Sequence, residues 1–141
     1  MPTPDCSPSN PTFDQVGVVP YRHHGGSIEV LLITSRTHGR WIVPKGNIEE
    51  SLGPRRSARM EALEEAGVDG NLADEPLGIY RHGNPPEHCV RLYLMHVKTE
   101  YATWPEDHER TRRWLKLRTA QHTVDEDGIR SLLNEAAQRL W

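Results

Sequence analysis

Three carboxylates, Glu61, Glu64 and Glu65, stand at spacing i, i+3, i+4. On a helix that spacing gathers them onto one arc of roughly 100°. Like charges so close repel by a few tenths of a kcal/mol per exposed pair, about what a solvated acidic face tolerates. The surroundings argue for more than a solvated face. Gly53-Pro54 places proline near a first helical turn, and Gly67 stands where a left-handed residue ends a helix. Ala58, Ala62 and Ala66 give the same helix a smooth flank that can lie close to a sheet. Clustered acids on a rigid helix suit a hard divalent cation, which takes oxygen ligands and keeps several waters.

The stretch from Gly46 to Val68, GNIEESLGPRRSARMEALEEAGV, follows the strand-like run RWIVPK. It resembles the Nudix box, G-x5-E-x7-R-E-U-x-E-E-x-G-U, with U a bulky aliphatic residue. Gly46, Glu61, Glu64, Glu65, Gly67 and Val68 fall on consensus places, and Ala62 is a small stand-in for the first U. Leu52 stands where the box has its first glutamate, and Met60 where it has arginine. An ion pair replaced jointly by apolar residues can leave a scaffold stable, so Leu52 and Met60 are expected to share burial. The segments VLLITSRTHGRWIVPKG and WPEDHERTRRWL, with the C-terminal helix, resemble the diphosphoinositol polyphosphate and diadenosine polyphosphate hydrolase branch of that family.

The rest of the chain must hold this helix in place. A length of 141 residues with 35% hydrophobic residues fits one domain with a modest core. The formal charge of −3 exerts no general pull on nucleic acid or anionic membrane, so any phosphate site must be a local basic patch. No apolar run nears the ~18 residues of a membrane span, and the N-terminus has no signal-like pattern. Cys6 and Cys89 lack metal spacing and read as reduced thiols of a cytoplasmic protein.

Residues 1–12 hold four prolines and almost nothing apolar, a disordered tail before a domain over 13–141. Strands are expected at Gln15–Tyr21, Glu29–Ser35, WIVP, Leu77–Arg81, Val90–Val97 and RRWLKL. Loops are expected at the Gly25-Gly26 turn (which includes His23 and His24), DGNLADEP, HGNPPEH and TWPEDHER. His96 reads as a packed or rim residue. Thr123 and Glu126 have capping-box spacing before the apolar periodicity Ile129, Leu132, Leu133, Ala136, Leu140. Strands interleaved with helices, some paired through hairpin-like turns, make an α+β protein with a mixed sheet. The resemblance implies the Nudix α/β/α sandwich, with that sheet between helices.

The resemblance further implies Mg²⁺ or Mn²⁺ held by Glu61, Glu64, Glu65 and the Gly46 carbonyl. The implied reaction is attack of water on a phosphoanhydride in a nucleotide-derived diphosphate or polyphosphate. Which carboxylate is the general base stays open among Glu61, Glu65 and the loop acids Glu106, Asp107 and Glu109. Arg36, Arg40 and Lys45, with Arg81 a weaker candidate, match the basic residues that hold phosphates in that branch. The expected partner is a small, anionic, nucleotide-type substrate rather than membrane or extended nucleic acid, with a homodimer left open. Leu52 and Met60 favour an alternative, a catalytically silent Nudix domain binding a nucleotide or a protein.

Overall fold

The computed structural model describes Cys6, residues 13–84 and residues 86–140. Apart from Cys6, the expected tail lies outside the described residues. The elements are β1 (Gln15–His24), β2 (Ser27–Thr34), β3 (Trp41–Ile42), β4 (Lys45–Asn47), α1 (Gly53–Ala66), β5 (Val68–Leu72), β6 (Gly78–His82), β7 (His88–Glu100), β8 (Arg112–Lys116), α2 (Leu117–Thr123) and α3 (Asp127–Leu140). One sheet runs β3-β2-β1-β7-β5, with β4 also pairing β1, β6 pairing β7 and β8 pairing β2. β1 and β7 are parallel, from Gln15 opposite Val90 to Tyr21 opposite His96. The β1–β2 and β6–β7 pairs are antiparallel, so the sheet is mixed, as expected.

Alternation along the strands assigns the two faces. Tyr93 of β7 meets α1, where the Arg55 guanidinium lies 5.3 Å from its ring. On the opposite face, β6 meets α3: a Cβ on Gly78 would lie 2.5 Å from Leu132, and one on Gly128 would lie 2.7 Å from the Tyr80 Cβ. This is the α/β/α sandwich. Its core is fully buried aliphatics on the central strands, Val16, Val18, Val19, Val30, Leu31, Leu32, Ile33, Leu92 and Met95, closed by Ile129 and Leu133 of α3. Each fully buried side chain of this kind contributes roughly 1.5–3 kcal/mol.

Several boundaries differ from the sequence expectation. β1 continues through His23 and His24, and the turn tightens onto Gly25 and Gly26, both at positive φ. His96 sits at the rim, stacked on Tyr21 at 5.0 Å and edge-on to His23 at 5.6 Å. DGNL is not loop but β5, recruited by the long β7 with a register shift between Asp69 and Gly70. The capping box does not form. Thr123 donates its hydroxyl to the Thr119 carbonyl inside α2, while the Glu126 carboxylate turns to His82. The free-thiol expectation is also corrected: Cys6 and Cys89 form a disulfide, their Cα atoms 5.5 Å apart. The register that starts β7 beside the entry to β1 brings Cys89 within reach. Among the described residues no helix is long and apolar enough to cross a membrane.

Candidate active site

The site forms where α1 meets β4. β4 pairs with β1, Gly46 opposite Val16 and Lys45 opposite Gly17. Gly17 permits that approach, since a Cβ there would lie 2.8 Å from the Lys45 Cβ. Gly46 serves α1 in the same way, because its missing side chain is where the Glu61 carboxylate rests; a Cβ would lie 2.6 Å from Oε2. One turn on, Glu65 is 7% exposed, and its Oε1 accepts the Lys45 backbone N–H at 3.1 Å.

Burial pushes the Glu65 carboxyl up to about 8; Arg110 opposes the rise and Glu61 adds to it. Glu61 is raised for the same first reason, with Glu64 and Glu106 adding to it. Glu61 and Glu65 stand one helical turn apart, and both carboxyls are raised, so protonation is favoured where two like charges would otherwise meet. A buried carboxyl and a half-buried one, one turn apart against a glycine backbone that leaves room for them, are a set a divalent cation fits. Glu64 stands half-buried beside them. Among the described residues no three His, Cys, Asp or Glu side chains form a ready-made metal cluster. Glu61, Glu65 and Gly46 are the convergent part.

The end of α1 is capped by other elements, which fixes the carboxylates further. Gly67 takes φ +68°. The Glu64, Glu65 and Ala66 carbonyls accept from the Glu106 N–H (3.0 Å), Trp104 Nε1 (3.0 Å) and Arg112 Nη1 (2.9 Å). Helix-end carbonyls left without partners are thereby satisfied by the 104–112 segment. Arg110, almost fully buried, ties that segment to the site. Its guanidinium donates to the Thr34 carbonyl and Glu106 Oε1, both at 2.9 Å, and lies 3.5 Å from Glu65 Oε2.

A cavity of about 280 Å³ opens beside this pair, lined by Arg36, Arg40, Lys45, Arg110, His82 and Glu126. Three of the four phosphate-binding candidates therefore share one cavity. Arg36 also meets Glu106 at 2.9 Å and Glu109 at 3.1 Å, so both loop acids reach the rim through it. Asp107 instead accepts the Trp104 N–H within its own turn. Burial lowers the Lys45 ammonium, with Glu65 as the main opposing influence. Arg81 is outside this lining. The alternation of β6 turns it away from the side that His82 takes, and its Nε lies 3.9 Å from Glu87.

Leu52 and Met60 line one groove with Leu63, but it is open to solvent and Met60 is 39% exposed. The expected shared burial is corrected to a shared surface groove, because position 60 faces away from the sheet. Arg110, His82 and Glu126 escaped the sequence reading. His82 and Glu126 meet 44 positions apart, and nothing local signals that pairing.

A family model for the NUDIX domain matches residues 11–135. The chain is 34% identical over 131 residues to Nudix hydrolase 21, chloroplastic, of Arabidopsis thaliana, covering 88% of this chain and 66% of that protein. It is 37% identical over 95 residues to human diphosphoinositol polyphosphate phosphohydrolase 3-alpha, covering 65% of this chain and 57% of that one. The chain thus spans about two thirds of the first relative's length and less of the second's. A crystal structure of C. elegans Ap4A hydrolase shares the fold, with TM-score 0.75 at 22% identity over 92% of this chain and 98% of that one. With the family model matching residues 11–135 of 141, the chain belongs to the NUDIX domain family.

Proposed function

We propose that this chain hydrolyses a phosphoanhydride bond in a nucleotide-derived diphosphate or polyphosphate, with Mg²⁺ or Mn²⁺ held by Glu61, Glu64, Glu65 and the Gly46 carbonyl. The observation that carries the reading is the pair Glu61 and Glu65, with the Glu61 carboxylate set against Gly46 and Glu65 held by the Lys45 N–H, beside a cavity lined by four cationic side chains. When bound, the cation neutralises phosphate oxygens and lowers the pKa of a coordinated water. The chain's own groups do the remaining work. Lys45, Arg40 and Arg110 offset the charge of the phosphate chain and orient it. Arg36 shifts between Glu106, Glu109 and an incoming phosphate. Glu61 and Glu65 are the groups placed to take the proton of the attacking water. The Trp104 and Arg112 caps hold the end of α1 while they do so.

The names of the relatives favour two substrate chemistries, diphosphoinositol polyphosphates and dinucleoside polyphosphates. Leu52 and Met60 lend a silent domain no support, since both line a groove apart from the carboxylates. The cytoplasmic expectation is not carried forward, because it leaned on free thiols and Cys6 and Cys89 are paired. The test is a panel of nucleoside di- and triphosphates, dinucleoside polyphosphates, ADP-ribose, diphosphoinositol polyphosphates and capped RNA, incubated with Mg²⁺ or Mn²⁺. Turnover of one class, lost in Glu61→Gln and Glu65→Gln, is the expected result. No turnover of any member would overturn the proposal.

A further inference from the structure

The cation-lined cavity ends on a pair that phosphate binding does not use. His82 closes β6 and Glu126 lies just before α3, with His82 Nδ1 3.0 Å from Glu126 Oε2. Glu126 has given up the helix-capping role its spacing predicts, and its carboxylate lines the cavity instead. Its Oε1 has no hydrogen-bond partner among the described residues. Close by, Tyr80 is 4% exposed, its ring 6.3 Å from that of His82, and its buried Oη also lacks a partner among those residues.

For phosphate alone, this end of the cavity is badly built. A carboxylate repels a phosphate and can only accept hydrogen bonds. What it accepts well is a hydroxyl. Acidic side chains read ribose hydroxyls in other nucleotide sites for this reason. His82 holds one oxygen of Glu126 and leaves the second to a ligand. We infer that Glu126, steadied by His82, reads a free hydroxyl on the ring that carries the phosphate chain. This site then takes ribonucleotide-type ligands in preference to a fully phosphorylated ring. The inference rests on the phosphate-binding cavity of the function proposed above and narrows its substrate.

Binding calorimetry in Mg²⁺ tests it with four probes: β,γ-methylene ATP, its 2′,3′-dideoxy counterpart, inorganic tripolyphosphate and inositol hexakisphosphate. The hydroxylated nucleotide is expected to bind the wild-type chain roughly tenfold tighter than the dideoxy form, since a site that accepts from a hydroxyl loses that bond to the analogue lacking it. In Glu126→Ala the two nucleotides should bind alike. Tripolyphosphate should then bind no more weakly than before, and inositol hexakisphosphate more tightly. His82→Ala should reproduce the loss of preference in part. If Glu126→Ala loses its cooperative melt, Glu126→Met, close in size and with no oxygen to accept from a hydroxyl, carries the same comparison. Equal binding of both nucleotides to the wild-type chain, with tripolyphosphate bound, overturns this inference alone. A uniform loss across all probes in the Glu126 variant also overturns it, by making the residue structural. No binding of any probe overturns it together with the proposed function.

Discussion

Replacing Glu65 by glutamine should remove a pH dependence of stability that the divalent-free protein carries. Glu65 is buried beside Glu61, and its carboxyl titrates near 8 rather than near 4.5. Between those values the folded chain holds a proton that the unfolded chain has released. Folding therefore takes up protons in that window, and stability must fall as pH rises through it. Each pH unit is worth about 1.4 kcal/mol, so the loss between pH 4.5 and pH 8 approaches ~4–5 kcal/mol as an upper bound. Glu61, also raised by burial, adds a fall of the same sign that the variant keeps. Glu65→Gln keeps the shape, can still accept the Lys45 N–H, and has no proton to lose. Urea unfolding in EDTA, without reductant, from pH 5 to pH 8.5 is the assay. The wild-type midpoint should decline across the range more steeply than that of the variant, the two differing most at the alkaline end. Mg²⁺ added at pH 8 should stabilise the wild-type chain and leave the variant unchanged. Curves that stay parallel at every pH would refute the reasoning.

Three further outcomes follow from named contacts. Reduction of Cys6–Cys89, or removal of residues 1–11 with Cys6, should lower stability by up to ~4 kcal/mol from the long loop it opens, read as a shift in urea midpoint with and without reductant. Met60→Arg should change stability by no more than about 0.5 kcal/mol, because the side chain faces an open groove; a drop of several kcal/mol in thermal unfolding would mean the groove is closed in solution. Gly46→Ala should keep a cooperative melt yet lose hydrolysis, since the new methyl would overlap the Glu61 carboxylate; undiminished turnover would place the reaction elsewhere.

How much of this was legible depended on whether the deciding interaction was local. α1 could be read from Gly53-Pro54 and Gly67 because its ends are set by backbone conformation at those residues. The three acids could be read from helical spacing. β5 could not, because Asp69, Gly70 and Asn71 have the chemistry of a turn and become strand only against the extended edge of β7. β4 was hidden likewise, since Lys45-Gly46-Asn47 gains its ladder from β1. Thr123 and Glu126 carried a true capping pattern, yet α2 claimed Thr123 and His82 claimed Glu126. Tertiary pairing overrode a weak local preference. Arg81 and His82 show the same limit within a single strand, where only the register decides which of two neighbours faces the cavity. Nothing local marks Arg110, whose role comes from Thr34, Glu65 and Glu106 gathering around it.

The most direct test of the central claim is a Mn²⁺ titration followed by electron paramagnetic resonance, on the wild-type chain and on Glu61→Gln, Glu64→Gln and Glu65→Gln. The expected result is saturable binding by the wild-type chain and marked weakening in Glu61→Gln and Glu65→Gln, with folding retained in all four proteins. Binding to Glu64→Gln should weaken as well, in keeping with its place beside the pair. Titrations that superimpose for the wild-type chain and all three variants would contradict the assignment of these carboxylates to a divalent cation.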